Sequence, residues 1–324
     1  MTQTMRYIDY QQSSLNIKTQ TLPTLSPQEV LVQVKAFGVN RADLLQKAGK
    51  YPPPADASPI LGMEVSGEII ALGEKVSGWN LGDKVCAMIA GGGYATHVAI
   101  HAELLMPLPE SMHFEQGAAF PEVFLTAFQV LDWIADLQPE QKVLIHAGAS
   151  GVGLAAIQLA KQTGAQVAVT VSSEKKADKC RNLGADMTIL YTQDDFYQTL
   201  KTKWHGVDVI MDMVAGEYTN KNLKLLNMDG KIIHLAMLGG RFVENFDNAL
   251  LLGKRASVIG TTLRNRSHEY KARLVRHFTD KYLPLLAAGK LDTCIDTVFS
   301  VSDVAIAHER MANNDSCGKF VITW

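Results

Sequence analysis

The sequence predicts an α/β fold in which a doubly wound parallel sheet is joined to a smaller β-rich domain. Three observations carry that prediction. From about Thr126 onward, apolar runs alternate with helical patterns. Before about Pro121 the apolar runs are short and are broken every few residues by glycine or proline. A glycine turn separates the first strand of the alternating part from its first helix. Repeated strand–helix–strand order requires parallel strands joined by crossovers.

The N-terminal part begins with an alternating pattern. Val30, Val32, Val34 and Ala36 share one face of a strand, with Leu31, Gln33 and Lys35 on the other. Gly38, Gly49, Pro52-Pro53-Pro54, Gly62, Gly67, Gly73, Gly78, Gly82 and Gly91-Gly92-Gly93 then punctuate the chain. Such spacing predicts an irregular β-rich domain or small barrel.

In the second part, strands are predicted at Lys142–His146, Val167–Val171, Met187–Leu190, Val207–Met211, Lys231–Leu235 and Ser257–Gly260. Their near-continuous apolar runs suit a sheet covered on both faces. Helices are predicted at Gly151–Thr163, where Val152, Ala155, Ala156, Leu159 and Ala160 form a stripe, and at Lys175–Asn182. Gly164 and Gly184 follow as stops. The tail predicts a long helix Glu269–Leu286 with Pro284 near its end, a strand Thr297–Val301, a helix from Ser302 and a strand Lys319–Trp324. It is expected to return to the first domain. The domains are therefore 1–122 together with 264–324, and 123–263.

Composition narrows the function classes. The chain has 324 residues, 47% hydrophobic and 20% charged, with a formal net charge of −2, so it can bury a large core and carries no field that would draw nucleic acid or anionic membrane. No run approaches 18 apolar residues, and the N-terminus lacks the apolar segment of a secretory signal. Cys86, Cys180, Cys294 and Cys317 lie far apart with no C-x-x-C pair, which excludes a cysteine zinc cluster and suits a reducing, cytoplasmic compartment.

The chemistry starts at Gly148-Ala-Ser150-Gly151-Val152-Gly153, between a strand and a helix. Glycines there let backbone approach a pyrophosphate, and the helix N-terminus offers unpaired N–H groups and a positive dipole end. The spacing departs from G-x-G-x-x-G, so the five strand–helix units that follow are what make dinucleotide binding the reading. An acid about 20 residues on would hold a ribose 2′-hydroxyl. The residue 21 positions after Gly151 is instead Ser172, followed by Ser173, Glu174, Lys175 and Lys176. Hydroxyls and a lysine match a 2′-phosphate, which predicts NADPH.

The whole chain resembles the zeta-crystallin-like quinone oxidoreductases of the medium-chain dehydrogenase/reductase superfamily. The motifs are Val39-Asn40-Arg41-Ala42-Asp43, Ile60-Leu61-Gly62-Met63-Glu64-Val65-Ser66-Gly67, His146–Gly153 and Gly318-Lys319. Asn40–Tyr51, Pro121–Phe128 and Leu144–Ala160 look like the tumour-suppressor-induced subtype nearly residue for residue. The resemblance implies a GroES-like catalytic domain, a Rossmann domain, NADPH, a quinone or related unsaturated carbonyl as substrate, and a homodimer. It also implies that Asn40 and Tyr51 line the substrate end and Thr126 the nicotinamide end. Ser150, Gly151 and Val152 would meet the pyrophosphate, and Ser172 and Lys176 the 2′-phosphate. Tyr191 would flank the adenosine, and Lys319 would reach the cofactor from the tail. Ser150 stands where the wider branch commonly has glycine, which adds a candidate catalytic hydroxyl.

No metal is expected. Zinc-dependent relatives carry Gly-His-Glu where this chain has Gly62-Met63-Glu64, and a cysteine near Asn40. A thioether and an amide do not replace an imidazole and a thiolate on Zn²⁺. Glu64 is then expected to ion-pair. His146 reads as a satisfied core histidine, Gly91-Gly92-Gly93 as a tight turn, Cys180 as structural, and Asp212 as either ligand-facing or a turn residue. The carbonyl oxygen of the acceptor would be stabilised by Tyr51 and Asn40. The alternatives are reduction of an enone or enal double bond, and a non-catalytic NADPH-binding protein.

Overall fold

The computed structural model describes residues 4–10 and 14–324. The chain divides into two compact units, Met1–Leu125 with Arg264–Trp324, and Thr126–Leu263.

The first unit begins with β1 (Thr4–Asp9) and β2 (Asn16–Thr21), an antiparallel pair. Then come β3 (Glu29–Val39), α1 (Arg41–Lys47), β4 (Glu64–Leu72), β5 (Lys84–Met88), β6 (His97–His101) and β7 (Leu105–Pro107). The helix α2 (Phe114–Gly117) follows, then α3 (Pro121–Phe128), whose last residues from Thr126 already belong to the second unit, as does the π-helical turn Gln129–Ala135 that extends it. By length and apolarity Phe114–Ala135 matches a membrane span, which qualifies the reading that no such stretch exists. Its most apolar window is 72% buried inside the protein, as expected of a core helix.

The second unit alternates as predicted. Its elements are β8 (Lys142–Ile145), α4 (Gly151–Thr163), β9 (Gln166–Val171), α5 (Glu174–Asn182), β10 (Met187–Leu190), α6 (Phe196–Lys203), β11 (Val207–Asp212), α7 (Tyr218–Leu225), β12 (Leu226–His234), α8 (Asn248–Gly253) and β13 (Ser257–Gly260). The sheet order is β10-β9-β8-β11-β12-β13, with every pair parallel. Counted within the unit this is 3-2-1-4-5-6, the doubly wound dinucleotide-binding order, whose strand order reverses between β8 and β11. Gly164 ends α4 in the left-handed region at φ 87°, the conformation glycine adopts without a Cβ clash.

The chain then returns to the first unit with α9 (His268–Lys281), α10 (Leu283–Ala287), β14 (Ile295–Ser300), α11 (Val304–Ala312) and β15 (Lys319–Thr323). The helix predicted over Glu269–Leu286 is thus two helices. The break falls at Tyr282, and Pro284 sits in the first turn of the second helix, where its missing N–H costs nothing. β15 lies inside the seven-stranded sheet, between β14 and β3 in the order β14-β15-β3-β4-β5-β7, with β6 also paired to β3. The core of this sheet is aliphatic and aromatic, including Val32, Phe37, Val65, Tyr94 and Phe320.

Candidate functional site

In the first unit, four segments converge on one buried carboxylate. Glu64 starts β4 and is fully buried. Its Oε1 accepts from Asn40 Nδ2 at 2.9 Å and from Lys319 Nζ at 2.5 Å, and its Oε2 accepts from the Glu122 amide at 3.0 Å. Gly38 makes room for it, because a Cβ there would lie 2.2 Å from Glu64 Oε1. Glu64 is therefore an ion-pair partner, as expected.

Lys319 also donates to Val39 O at 3.1 Å and Asn40 Oδ1 at 2.7 Å. An ammonium has three protons, and these three acceptors use them all. These bonds engage the Lys319 ammonium inside the first unit, where it orients Asn40. With Oδ1 facing the lysine and one Nδ2 proton on Glu64, Asn40 keeps a single Nδ2 proton to offer.

Beside this cluster runs a second buried chain. Asp43 of α1 accepts from the amides of Asn40 at 2.8 Å and Gly62 at 3.1 Å and from Tyr94 Oη at 3.2 Å. Tyr94 Oη stands 2.9 Å from His308 Nε2. Burial pushes the Asp43 carboxyl up to about 6, despite those donors and Lys319. Burial pushes His308 down to about 4, helped by Lys47.

Tyr51 is half-buried, and the Arg264 guanidinium lies 5.4 Å from its ring centroid. Burial raises its phenol, against the nearby Arg264 charge, so it remains a donor at neutral pH. Arg264 donates to Ala90 O at 2.7 Å and Gln46 Oε1 at 2.6 Å, while its buried Nη1 has no hydrogen-bond partner. Sequence reading missed Arg264. Its partners lie 174 and 218 positions away, and no local pattern marks it.

In the second unit, the glycine turn sits at the end of β8. Ser150 is the N-cap of α4, and its Oγ accepts from the Gly153 amide at 3.1 Å. Its hydroxyl proton faces Met213 Sδ at 3.8 Å. The Gly151 and Val152 amides have no hydrogen-bond acceptor among the described residues, as the first turn of a helix requires. A Cβ on Gly148 would meet Val169 at 2.5 Å, and one on Gly153 would meet Gly148 O at 2.5 Å. Ala147 and Ala215, in the loops after β8 and β11, both adopt left-handed φ of 53° and 58°. This is strain held in place on both sides of the strand-order reversal.

At the end of β9, Ser172 and Ser173 precede α5, with Ser173 as its N-cap. Lys176 lies in the first turn, half-buried. Ser172 is outside the helix, so the two residues are grouped by the β9–α5 corner rather than by helical periodicity. Glu174, the nearest acid, pairs along the helix with Arg181. Tyr191 follows β10, exposed, and its amide donates to Val171 O at 3.1 Å, which sets it beside Ser172. Thr126 lies on α3 at the start of this unit. Turn, unpaired amides and hydroxyl-lined corner fit a nicotinamide dinucleotide.

His146 is a structural residue. Asp212 Oδ2 accepts from Asn222 Nδ2 at 2.9 Å, so Asn222 Oδ1 faces His146 Nε2 at 2.9 Å, and Thr170 Oγ1 lies 3.0 Å from Nδ1. That chain fixes the proton on Nε2. Asp212 takes the turn role, accepting from Val214 and Ala215 amides at 2.7 and 2.9 Å. Burial raises its carboxyl, but His234 and these donors outweigh it and hold it below the usual range. Gly91-Gly92-Gly93 is a turn bonded back to Ile60 and Gly62.

Residues 26–110 match the family described as alcohol dehydrogenase GroES-like domain, and residues 151–280 the family described as zinc-binding dehydrogenase. A quinone oxidoreductase-like protein 2 homolog of Nematostella vectensis is 32% identical over 302 residues, which are 92% of this chain and 82% of that protein. The chain belongs to the quinone oxidoreductase-like clade of the medium-chain dehydrogenase/reductase superfamily. Solved members of this superfamily share its fold. The Escherichia coli quinone oxidoreductase complexed with NADPH superposes with a TM-score of 0.87 at 26% identity, covering 99% of this chain and 100% of that one. CurK enoyl reductase superposes at 0.86 and 26% identity, covering 98% and 99%. The chain also matches a polyketide synthase subunit of Mycobacterium tuberculosis at 32% identity, spanning only 13% of its length. Despite the superfamily's zinc-binding members, the donors at Asn40 and Met63 do not suit Zn²⁺. Met63 is a buried thioether, and the Asn40 amide is taken by Lys319 and Glu64.

Proposed function

We propose that this medium-chain dehydrogenase/reductase is a zinc-independent, NADPH-dependent quinone reductase, of the tumour-suppressor-induced subtype. The observation that carries the reading is the β9–α5 corner, where Ser172, Ser173 and Lys176 stand in place of an acid. The NADPH bound by the E. coli relative supports it.

NADPH, when bound, supplies the hydride. The chain's residues have narrower tasks. The amides of Gly151 and Val152 would hold a phosphate of the cofactor at the positive end of α4. Tyr51, protonated at neutral pH, donates to the acceptor oxygen as charge develops, and the spare Nδ2 proton of Asn40 does the same. Removing such a donor typically costs on the order of 10²–10³ in rate. Lys319 and Glu64 position Asn40.

A second reading is favoured by the enoyl reductase likeness: reduction of a conjugated carbon–carbon double bond. One experiment separates the two. NADPH oxidation is followed with a panel of quinones and enones, and the products are identified. Hydroquinone supports the first reading and saturated ketone the second. No turnover with either class leaves a cofactor-binding protein. Activity that survives a chelator supports the zinc-free mechanism, and its loss overturns it. The location proposed with this reading is cytoplasmic, a reducing compartment that suits the free thiols Cys86, Cys180, Cys294 and Cys317.

A further inference from the structure

A second cluster lies in the first unit, made of residues that the candidate site does not use. His101 is the last residue of β6, Glu103 sits in the single 3₁₀ turn Ala102–Leu104 that follows, and His268 is the first residue of α9. We propose that His101, Glu103 and His268 bind a divalent transition-metal ion, with Zn²⁺ the best-matched occupant.

The geometry carries this. His268 Nε2 lies 2.9 Å from Glu103 Oε2, and His101 Nδ1 lies 3.9 Å from the same oxygen. One ligand atom from each of the three residues falls within 4.8 Å of the others. The two imidazole centroids are 4.0 Å apart. A tetrahedral ion with bonds of about 2.0–2.1 Å holds its ligand atoms about 3.4 Å apart. The observed separations of 2.9 and 3.9 Å straddle that value.

The donor set selects the metal. Two imidazole nitrogens and one carboxylate oxygen suit zinc. Calcium and magnesium call for oxygen alone. The side chains are 29%, 53% and 35% exposed for His101, Glu103 and His268, which leaves an entry path and a water position. Among the described residues, the Glu103 amide competes as a donor, at 3.3 Å from His101 Nδ1. Neighbouring charge is balanced, with Arg276 near Glu103 and Glu29 near His101.

The position defines the role. Glu103 and His268 are 165 residues apart in sequence. An ion here clasps the end of β6 to the start of α9 and so ties the early and late segments of the first unit together. The site is structural and independent of catalysis.

The test uses untagged full-length protein, stripped with a chelator and titrated with Zn²⁺ alone by calorimetry, with melting temperature as second readout. Wild type is expected to take up one equivalent and to melt at higher temperature with zinc, since an ion bound only by the folded form stabilises it. Glu103→Gln and His268→Ala are each expected to weaken zinc at least about tenfold. Both are expected to abolish the zinc-dependent rise in melting temperature and leave NADPH turnover unchanged. Melting of the metal-free variants beside metal-free wild type confirms that they fold. Absence of saturable zinc binding in wild type, or unchanged affinity in both variants, overturns the proposal.

Discussion

The ammonium of Lys319 lies 2.5 Å from Oε1 of Glu64, and both side chains are closed to solvent. The pair joins chain positions 255 residues apart and supports Asn40 between them. Removing the cation leaves a buried carboxylate without counter-charge. Lys319→Met is therefore expected to cost about 3–5 kcal/mol in urea unfolding. The double variant Glu64→Gln, Lys319→Met is expected to recover much of that loss. An unchanged midpoint in the single variant would show that the pair contributes nothing.

Cofactor choice is expected to follow the β9–α5 corner. Charge-assisted contacts contribute roughly 1.5–3 kcal/mol, and about 1.4 kcal/mol is tenfold in affinity. Lys176→Ala is expected to lower kcat/KM for NADPH by about one to two decades and leave NADH nearly untouched. Ser172→Asp is expected to invert the preference, because it adds repulsion. Equal use of both cofactors by wild type would refute this account of the corner.

Tyr51→Phe keeps the ring against Arg264 and removes only the hydroxyl. Turnover is expected to fall more than NADPH affinity, since the lost bond strengthens as the acceptor oxygen gains charge. Steady-state kinetics with several quinones, alongside cofactor titration, decide it. Unchanged kcat across the panel would leave Tyr51 a packing residue.

Stability against pH is expected to reveal two opposed contributions. Asp43 is raised from 3.8 to about 6, so the native state holds its proton longer, and its contribution is lost as pH rises from about 4 to 6. His308 is lowered from 6.5 to about 4, so its contribution is lost as pH falls through the same range. Wild type is expected to be nearly flat between pH 4 and 6. Asp43→Asn is expected to become more stable with rising pH there, and His308→Gln less stable. Urea midpoints across the range read the slopes, and parallel slopes in all three proteins would contradict the assignment.

Association is expected through β13. It is the edge of the parallel sheet, with Ser257, Val258 and Gly260 exposed. An unpaired edge is a template for pairing with a second copy. A homodimer formed by two such edges is expected by light scattering, and Val258→Lys is expected to shift it to monomer. A monomer at micromolar wild-type concentration would rule this mode out.

The second unit was legible because its signals are local. Strand, glycine turn and amphipathic helix lie within the few residues from Val143 to Thr163, and the β9 corner lies one strand later. The first unit's cluster was legible only in part. Asn40 and Lys319 could be picked out, but not that Lys319 exhausts its donors on Asn40, Glu64 and Val39. That depends on β15 inserting beside β3, a pairing between distant segments. Ser150 shows the limit in the other direction. Its hydroxyl reads as chemistry in sequence, and no sequence signal told that its oxygen also caps α4 through the Gly153 amide. Arg264 left no trace, since only tertiary packing brings it to Tyr51 and Gln46.

The placement of β15 bears on how the chain is made. A strand from the far end of the sequence fills an interior position between β14 and β3, and it carries the cation that Glu64 needs. On the ribosome the first unit must wait, its sheet open and a carboxylate destined for burial still wet, while the entire second unit is translated and free to fold. Assembly is therefore expected to be ordered, with the dinucleotide-binding unit first and the other closing around Glu64 last, which would leave the open edge of β3 as the stretch a chaperone would need to shield.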